Sequence, residues 1–293
     1  MALPLVTAVL AVVHLVALEG LLPARAAAGA EPPAALVADA VQAYGATGTL
    51  AVVVDRQRTR ATGGSIRAAE ARALRERAWG AGNGAVADRP FPTASMVKLF
   101  MAEDILTRAR AGSIALGPTD RDLLREMIRR SDDPAASALW VRYGGGQMVR
   151  AVAERYGLDG TGPPPARIPG QWGQAVTTAH DLATFLARLP VVAHPEDAAI
   201  LLGWMREATP VAADGFDQQF GLFGTLPAQP AVKQGWMCCV GGQRHLHSVA
   251  VLGSTVAVLL SEVPRSVGYD AARAALTAAG AAVAAGKTVP SHR

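Results

Sequence analysis

The chain has 293 residues and a formal charge of +4. That length supports one large domain or two small ones, with a core that needs no disulfide staples. Hydrophobic residues make up 51% and acidic residues are interspersed with basic ones, which excludes a disordered chain and leaves no basic tract for nucleic acid.

The two cysteines, Cys238 and Cys239, are adjacent, so they cannot staple distant segments, and no nearby spacing offers metal ligands. They read as one buried and one exposed thiol on a strand rather than as an intermolecular or vicinal disulfide. No metal or other cofactor is expected. Lysine usage is more telling than net charge: of 28 basic residues only Lys98, Lys233 and Lys287 are lysines. Arginine serves wherever a surface charge suffices, and only lysine can be tuned into a base. Lys287 lies in the C-terminal tail and needs no special account.

Met1 to Leu22 is apolar apart from His14 and Glu19, and small residues follow as far as Ala30. Residues 1–28 therefore read as a secretory signal with an Ala-x-Ala site or, uncleaved, as a membrane anchor, with no cysteine there for a lipid. Export to the cell envelope or beyond is expected. An amphipathic helix is predicted over Pro33 to Tyr44 and a buried strand over Gly48 to Asp55. Arg67 to Arg77 reads as helical or irregular, and Gly80 to Asp88 as a Gly-rich loop.

Phe91-Pro92-Thr93 then leads into an apolar helix from Ser95 to about Arg110. Ser95 and Lys98 stand three positions apart, on one face of its first turn. Unpaired N–H groups and the positive end of the helix dipole there favour an oxyanion and disfavour a protonated amine. Nucleophile and base are thus placed together by one turn.

Pro118 opens the next helix, with Thr119 and Asp122 as a capping-box-like pair. Ser131-Asp132-Asp133 is a tight connection before a helix through Val141, because Pro134 forces Asp133 out of helical geometry and suits a first turn. Gly157 to Gly173 reads as an ordered surface loop. Thr178 and Asp181 cap a further helix, and Glu196 to Thr209 forms another. The pattern then changes to strands at Ala231 to Val240, His247 to Gly253 and Thr255 to Val263, closed by an Ala-rich helix from Tyr269 to Ala285. An α+β fold follows, with the first strand completing the late sheet.

Three segments, each present once, belong together: Ser95-Met96-Val97-Lys98, Ser131-Asp132-Asp133 and Lys233-Gln234-Gly235. In this order they resemble the three motifs of the penicillin-recognising serine enzymes, the class A β-lactamases and D,D-peptidases. Thr119 to Gly145 and Thr177 to Ala183 extend the likeness, which runs from about Gly48 to Ala284.

The resemblance implies a β-lactamase/transpeptidase-like fold: a five-stranded antiparallel sheet flanked by helices, plus an all-helical subdomain. It places one serine-hydrolase domain at 32–285, with sheet regions 32–65 and 225–285, a helical region 95–210 and a tail at 286–293. It implies Ser95 as the acylated nucleophile, Lys98 as the base and Ser131 as the proton shuttle to the leaving group. Lys233 would supply positive charge and lower the proton affinity of Lys98. Asp133, Gln234, Gly235, Trp236 and Arg244 would contact substrate, with the backbone N–H groups of Ser95 and Trp236 forming the oxyanion hole. His245 and His247 are alternatives to Arg244, but read better as solvated strand residues. The implied partner is a small-molecule or peptidoglycan-like substrate.

Four departures carry expectations. Asp133 replaces an asparagine and should hold Lys98 protonated unless Lys233 neutralises it instead. Gln234 replaces a smaller hydroxyl residue. The stretch between Ser95 and Ser131 is shorter than in class A enzymes, which should open the cleft. Finally, Asp159 to Gln174 holds no glutamate to activate a deacylating water, and Gln171 and Trp172 are no substitutes. Acyl-enzyme formed with penicillins should therefore clear slowly. A cell-wall D,D-carboxypeptidase or esterase, and a non-enzymatic binding domain on the same fold, are the alternatives.

Overall fold

Strand β1 (Thr49–Arg56) is apolar on both faces because both are covered: Ala51 and Val53 point into one core, and Leu50, Val52 and Val54 into the other. The computed structural model describes residues 32–59, 80–226 and 230–286. The leader, the segment from Arg67 to Arg77, and Lys287 fall outside these residues.

The remaining strands are β2 (Ala81–Gly82), β3 (Phe91–Pro92), β4 (Val176–Thr177), β5 (Ala231–Val240), β6 (Gln243–Leu252) and β7 (Thr255–Pro264). Antiparallel pairing builds one five-stranded sheet in the order β2-β1-β7-β6-β5, so the first long strand does complete the late hairpins, and β5 lies at an edge. The β5–β6 turn uses Gly241 and Gly242, both at positive φ (56° and 77°), as a tight two-residue hairpin requires. Helices α1 (Pro33–Tyr44) and α8 (Tyr269–Ala285) cover one face.

The other face carries α2 (Val97–Arg110), α3 (Pro118–Arg129), α4 (Asp133–Tyr143), α5 (Gly146–Tyr156), α6 (Ala179–Val192) and α7 (Pro195–Arg206). Among the described residues no helix is long and apolar enough to cross a membrane. Helix α2 is anchored by its own buried acids. Glu103 accepts from Tyr156 Oη (3.1 Å) and from Arg155, and Asp104 accepts from Arg155 (3.1 Å) and Arg108 (3.2 Å).

The structure corrects four local expectations. Ser95 does not open the α-helix: Ala94–Met96 is a 3₁₀ turn and α2 begins at Val97, with no side-chain cap. Helix α3 is capped by Asp120, whose carboxylate accepts from Gly117 N (3.4 Å), rather than by the Thr119–Asp122 pair. Helix α5, which the glycine run at Gly144–Gly146 obscures in the sequence, forms after Gly144 and Gly145 adopt positive φ. Cys238 and Cys239 are joined as a vicinal disulfide in β5 rather than standing as two thiols.

Candidate active site

Three supports position the turn that carries Ser95. Pro92 pairs with Val176 across β3–β4, and Thr93 N donates to Ala175 O (2.7 Å). His247 of β6 donates from Nε2 to Pro92 O (2.8 Å), while its Nδ1 accepts from Ser261 N (3.2 Å). The third support is β5. A Cβ at Gly235 would lie 3.1 Å from Ser95 N and 3.4 Å from Ala94 Cβ, so only glycine lets the strand rest against the Ser95 N–H.

Gly235→Val is accordingly expected to push β5 off this turn. Acylation at Ser95 should fall about 10²–10³-fold, the scale of a lost oxyanion donor, while thermal unfolding stays cooperative. Unchanged reactivity with a reporter ester would contradict this.

Backbone strain is concentrated here. Ala94 (φ 45°) and Ser131 (φ 54°) are the non-glycine residues at positive φ among the described residues, one beside the nucleophile and one in the second motif. Such conformations cost on the order of 1–3 kcal/mol and persist only where surroundings over-determine them. Ser131 is held by the start of α4, where Asp132 Oδ1 accepts from Ala135 N (2.8 Å).

That turn meets Lys98 and Lys233. Lys98 Nζ donates to Ser131 O (2.7 Å), Ser131 Oγ (3.3 Å) and Asp133 Oδ1 (2.5 Å). Lys233 Nζ lies 2.8 Å from Ser131 Oγ and donates to Gln234 O (2.7 Å). Both side chains are buried, at 0% and 1% exposure. The Ser131 hydroxyl thus bridges two buried amines, and Asp133 pairs with Lys98 rather than with Lys233. Ser95 Oγ makes no hydrogen bond among the described residues.

Burial pushes the Lys98 amine down from its usual value, and the charge and hydrogen bond of Asp133 oppose that. Lys233 is pushed well below its usual value, first by burial and then by the neighbouring charge of Lys98. The repulsion between the two amines is mutual, and Lys98 differs in having a carboxylate in contact to oppose it. Both amines donate to the Ser131 hydroxyl, and Lys98 alone also donates to a carboxylate.

A cleft of about 380 Å³ opens over Ser95, lined among others by Asp133, Ser137, Gln171, Trp172, Trp236 and Met237. Trp172 caps it: its indole donates to Ser137 Oγ (3.2 Å), and its ring centroid is 4.8 Å from Lys98 Nζ. The loop from Gly157 to Gly173 sends no carboxylate into this lining, and its acid, Asp159, is exposed beside Asp181.

Two expected substrate contacts do not reach the cleft. Side chains alternate along a strand, so with Lys233 and Gly235 facing Ser95, Gln234 and its cross-strand neighbours must face away. Gln234 donates to Phe220 O (2.9 Å) in the opposite core. Arg244, paired with Cys238 across β5–β6, donates to Val267 O and stacks on Tyr269 (4.2 Å). The Trp236 side chain stacks on Phe216 (4.6 Å), and its Nε1 donates to Asp214 Oδ2 (3.3 Å).

His245 and His247 are not solvated: both are buried, and burial and the neighbouring His245 bring His247 down to about 3. The positioning role of His247 was within reach of the same alternation, which sets it opposite Gly235. Trp172, Ser137 and Asp214 carry no local signal. Among the described residues no group of three or more His, Cys, Asp or Glu is placed to hold a metal ion.

A model of the Beta-lactamase enzyme family matches residues 115–284, which includes Ser131 and Lys233. The "Putative lipoprotein LppW" of Mycobacterium tuberculosis and of Mycobacterium bovis is 38% identical over 169 residues, 55% of this chain and 52% of the relative. The chain thus spans about half the length of these relatives. Among solved structures, a beta-lactamase from Chitinophaga pinensis superposes with a TM-score of 0.66 at 14% identity, covering 86% of this chain and 99% of that one. A beta lactamase from Burkholderia vietnamiensis gives 0.64 at 20% identity, covering 87% and 97%. An ancestral class A β-lactamase gives 0.62 at 19%, covering 85% and 98%. At these identities the structural likeness concerns the fold. Together with the family match, it establishes that the chain belongs to the Beta-lactamase enzyme family and has its penicillin-recognising fold.

Proposed function

We propose that this protein is a cell-envelope serine hydrolase or acyltransferase whose Ser95 is acylated by an amide, lactam or ester. The observation that carries the reading is the Ser131 hydroxyl bridging two buried amines beside a serine whose N–H rests on Gly235. Such a bridge conducts a proton: Lys98 passes one through Ser131 to Lys233 and becomes a base. Ser95 Oγ then bonds to the acyl carbon as its proton goes to Lys98, and the C–N or C–O bond breaks as the leaving group takes a proton from Ser131, which Lys98 replaces along its hydrogen bond to Ser131 Oγ.

Water must then hydrolyse the acyl-enzyme. The cleft lining offers Trp172 and Gln171 where a general base is needed, and its one carboxylate, Asp133, is engaged by Lys98. We infer slow deacylation. An envelope location is supported by the apolar leader and by relatives named as lipoproteins.

Intact-protein mass spectrometry after incubation with a neutral p-nitrophenyl ester and with a fluorescent penicillin tests this. At least one reagent should leave a persistent adduct on Ser95 that Ser95→Ala lacks. Turnover of a chromogenic cephalosporin at the rate of an efficient β-lactamase, with no accumulated adduct, would overturn slow deacylation. No adduct from either reagent at any pH, together with reversible ligand binding, would favour a binding domain.

A further inference from the structure

A substrate carboxylate needs a cation in the cleft, and among the described residues that line it there is none. Of the two basic residues expected to supply one, Lys233 is fully enclosed with its amine spent on Ser131 and Gln234, and Arg244 sits on the far face of the sheet against Tyr269. Lys98 is covered by Trp172 and has no exposed surface. The one charged side chain in the lining is Asp133. It is 57% exposed, and its contact with Lys98 is through Oδ1.

A further acid, Asp214, is exposed and accepts from the indole of Trp236, which packs against Phe216. Of the acids that act on the Lys98 charge, Asp133 alone is in contact with it. Trp172 also lines the cleft, an aromatic face that accepts a cation and gives nothing to an anion.

We propose that the site selects acyl groups bearing a cationic amine and disfavours those bearing a carboxylate. The acyl chain is the part that stays in the cleft once the leaving group has gone, so it is the part that Asp133 and Trp172 judge. This rests on acylation at Ser95 and specifies its substrate class. An anionic group here faces an uncompensated carboxylate, and a cationic one gains both a charge partner and an aromatic face.

Three p-nitrophenyl esters of equal chain length test it, with the acyl chain ending in trimethylammonium, methyl or carboxylate. Each kcat/KM, or acylation rate if deacylation limits, is divided by that ester's own hydroxide hydrolysis rate. The cationic ester is expected to exceed the anionic one by about tenfold or more at low salt, as a partly exposed charge pair allows. In 1 M salt, where the Debye length is about 3 Å, the ratio should fall towards one. In Asp133→Asn it should also collapse, with the neutral ester as internal reference.

If the neutral ester acylates Ser95 but the ratio is one or reversed, the charge preference is wrong. If the ratio survives in Asp133→Asn, its assignment to Asp133 is wrong. If the neutral ester fails to acylate Ser95, the acylation reading itself fails. Should Asp133→Asn not fold, the salt series on the unmodified protein decides.

Discussion

Lys98→Met is expected to lower the acylation rate of Ser95 on the order of 10²–10⁴-fold, whereas Asp133→Asn is expected to raise it at neutral pH. The second result is the sharper one, because deleting a residue from the site would then improve it. Asp133 holds a proton on Lys98 through charge and a 2.5 Å hydrogen bond, against burial that pushes the amine down. Without that carboxylate only the smaller pulls of Asp132 and Asp214 oppose burial. The basic form of the amine is then populated at lower pH, and the ascending limb of the pH–rate profile should shift down by about 1–3 units.

At a pH below both limbs, that shift is a rate gain of tenfold or more. The limb belongs to the Lys98–Ser131–Lys233 unit and not to one amine, since the three share protons. Stopped-flow measurement with a neutral reporter ester from pH 5 to 10 reads it directly. A limb that stays in place, or moves upward, would mean that Lys98 is not the group whose ionisation gates acylation.

The second large effect concerns stability. His247 is uncharged, with both ring nitrogens bonded, and titrates near 3. An unfolded histidine titrates near 6.5, so on acidification the unfolded chain takes up the proton first. The contribution of His247 is therefore complete above about pH 6.5 and is lost as pH falls towards 3. Between pH 7.5 and 4 this is worth about 3 kcal/mol.

His247→Gln should be less stable than the unmodified protein at pH 7.5, by about 1–3 kcal/mol for the disturbed buried hydrogen bonds. The deficit should shrink and then reverse by pH 4, because glutamine does not titrate. Urea unfolding at the two pH values gives both numbers. A deficit independent of pH would show that His247 charges freely in the folded state. Because His247 anchors Pro92, the variant should also lose acylation rate at pH 7.5, which links the sheet's stability to the placement of Ser95.

Much of the fold was legible along the chain because it is written in local periodicity. The alternating and continuous apolar runs at 49–56 and 231–264, and the glycine turns between them, specify strands whatever surrounds them. The three motif segments were equally legible. Helix α5 was not, since its start lies inside a glycine run that reads as a stop. The 3₁₀ turn at Ala94–Met96 escaped for a different reason: it depends on the packing of β5 and β6 beneath it, not on its own residues.

The site divides the same way. Composition alone singled out Lys98 and Lys233, and spacing alone put Ser95 near Lys98. Strand alternation, also present in the sequence, was enough to exclude Gln234 and Arg244 from the side that Lys233 faces. Tertiary structure decided that both amines are buried and that Lys98 is the one that touches Asp133, neither of which is encoded locally. It also decided the character of the cleft. A carboxylate left partly exposed and a second lysine left fully enclosed come from the same residues that, a few ångströms elsewhere, would have presented a positive site.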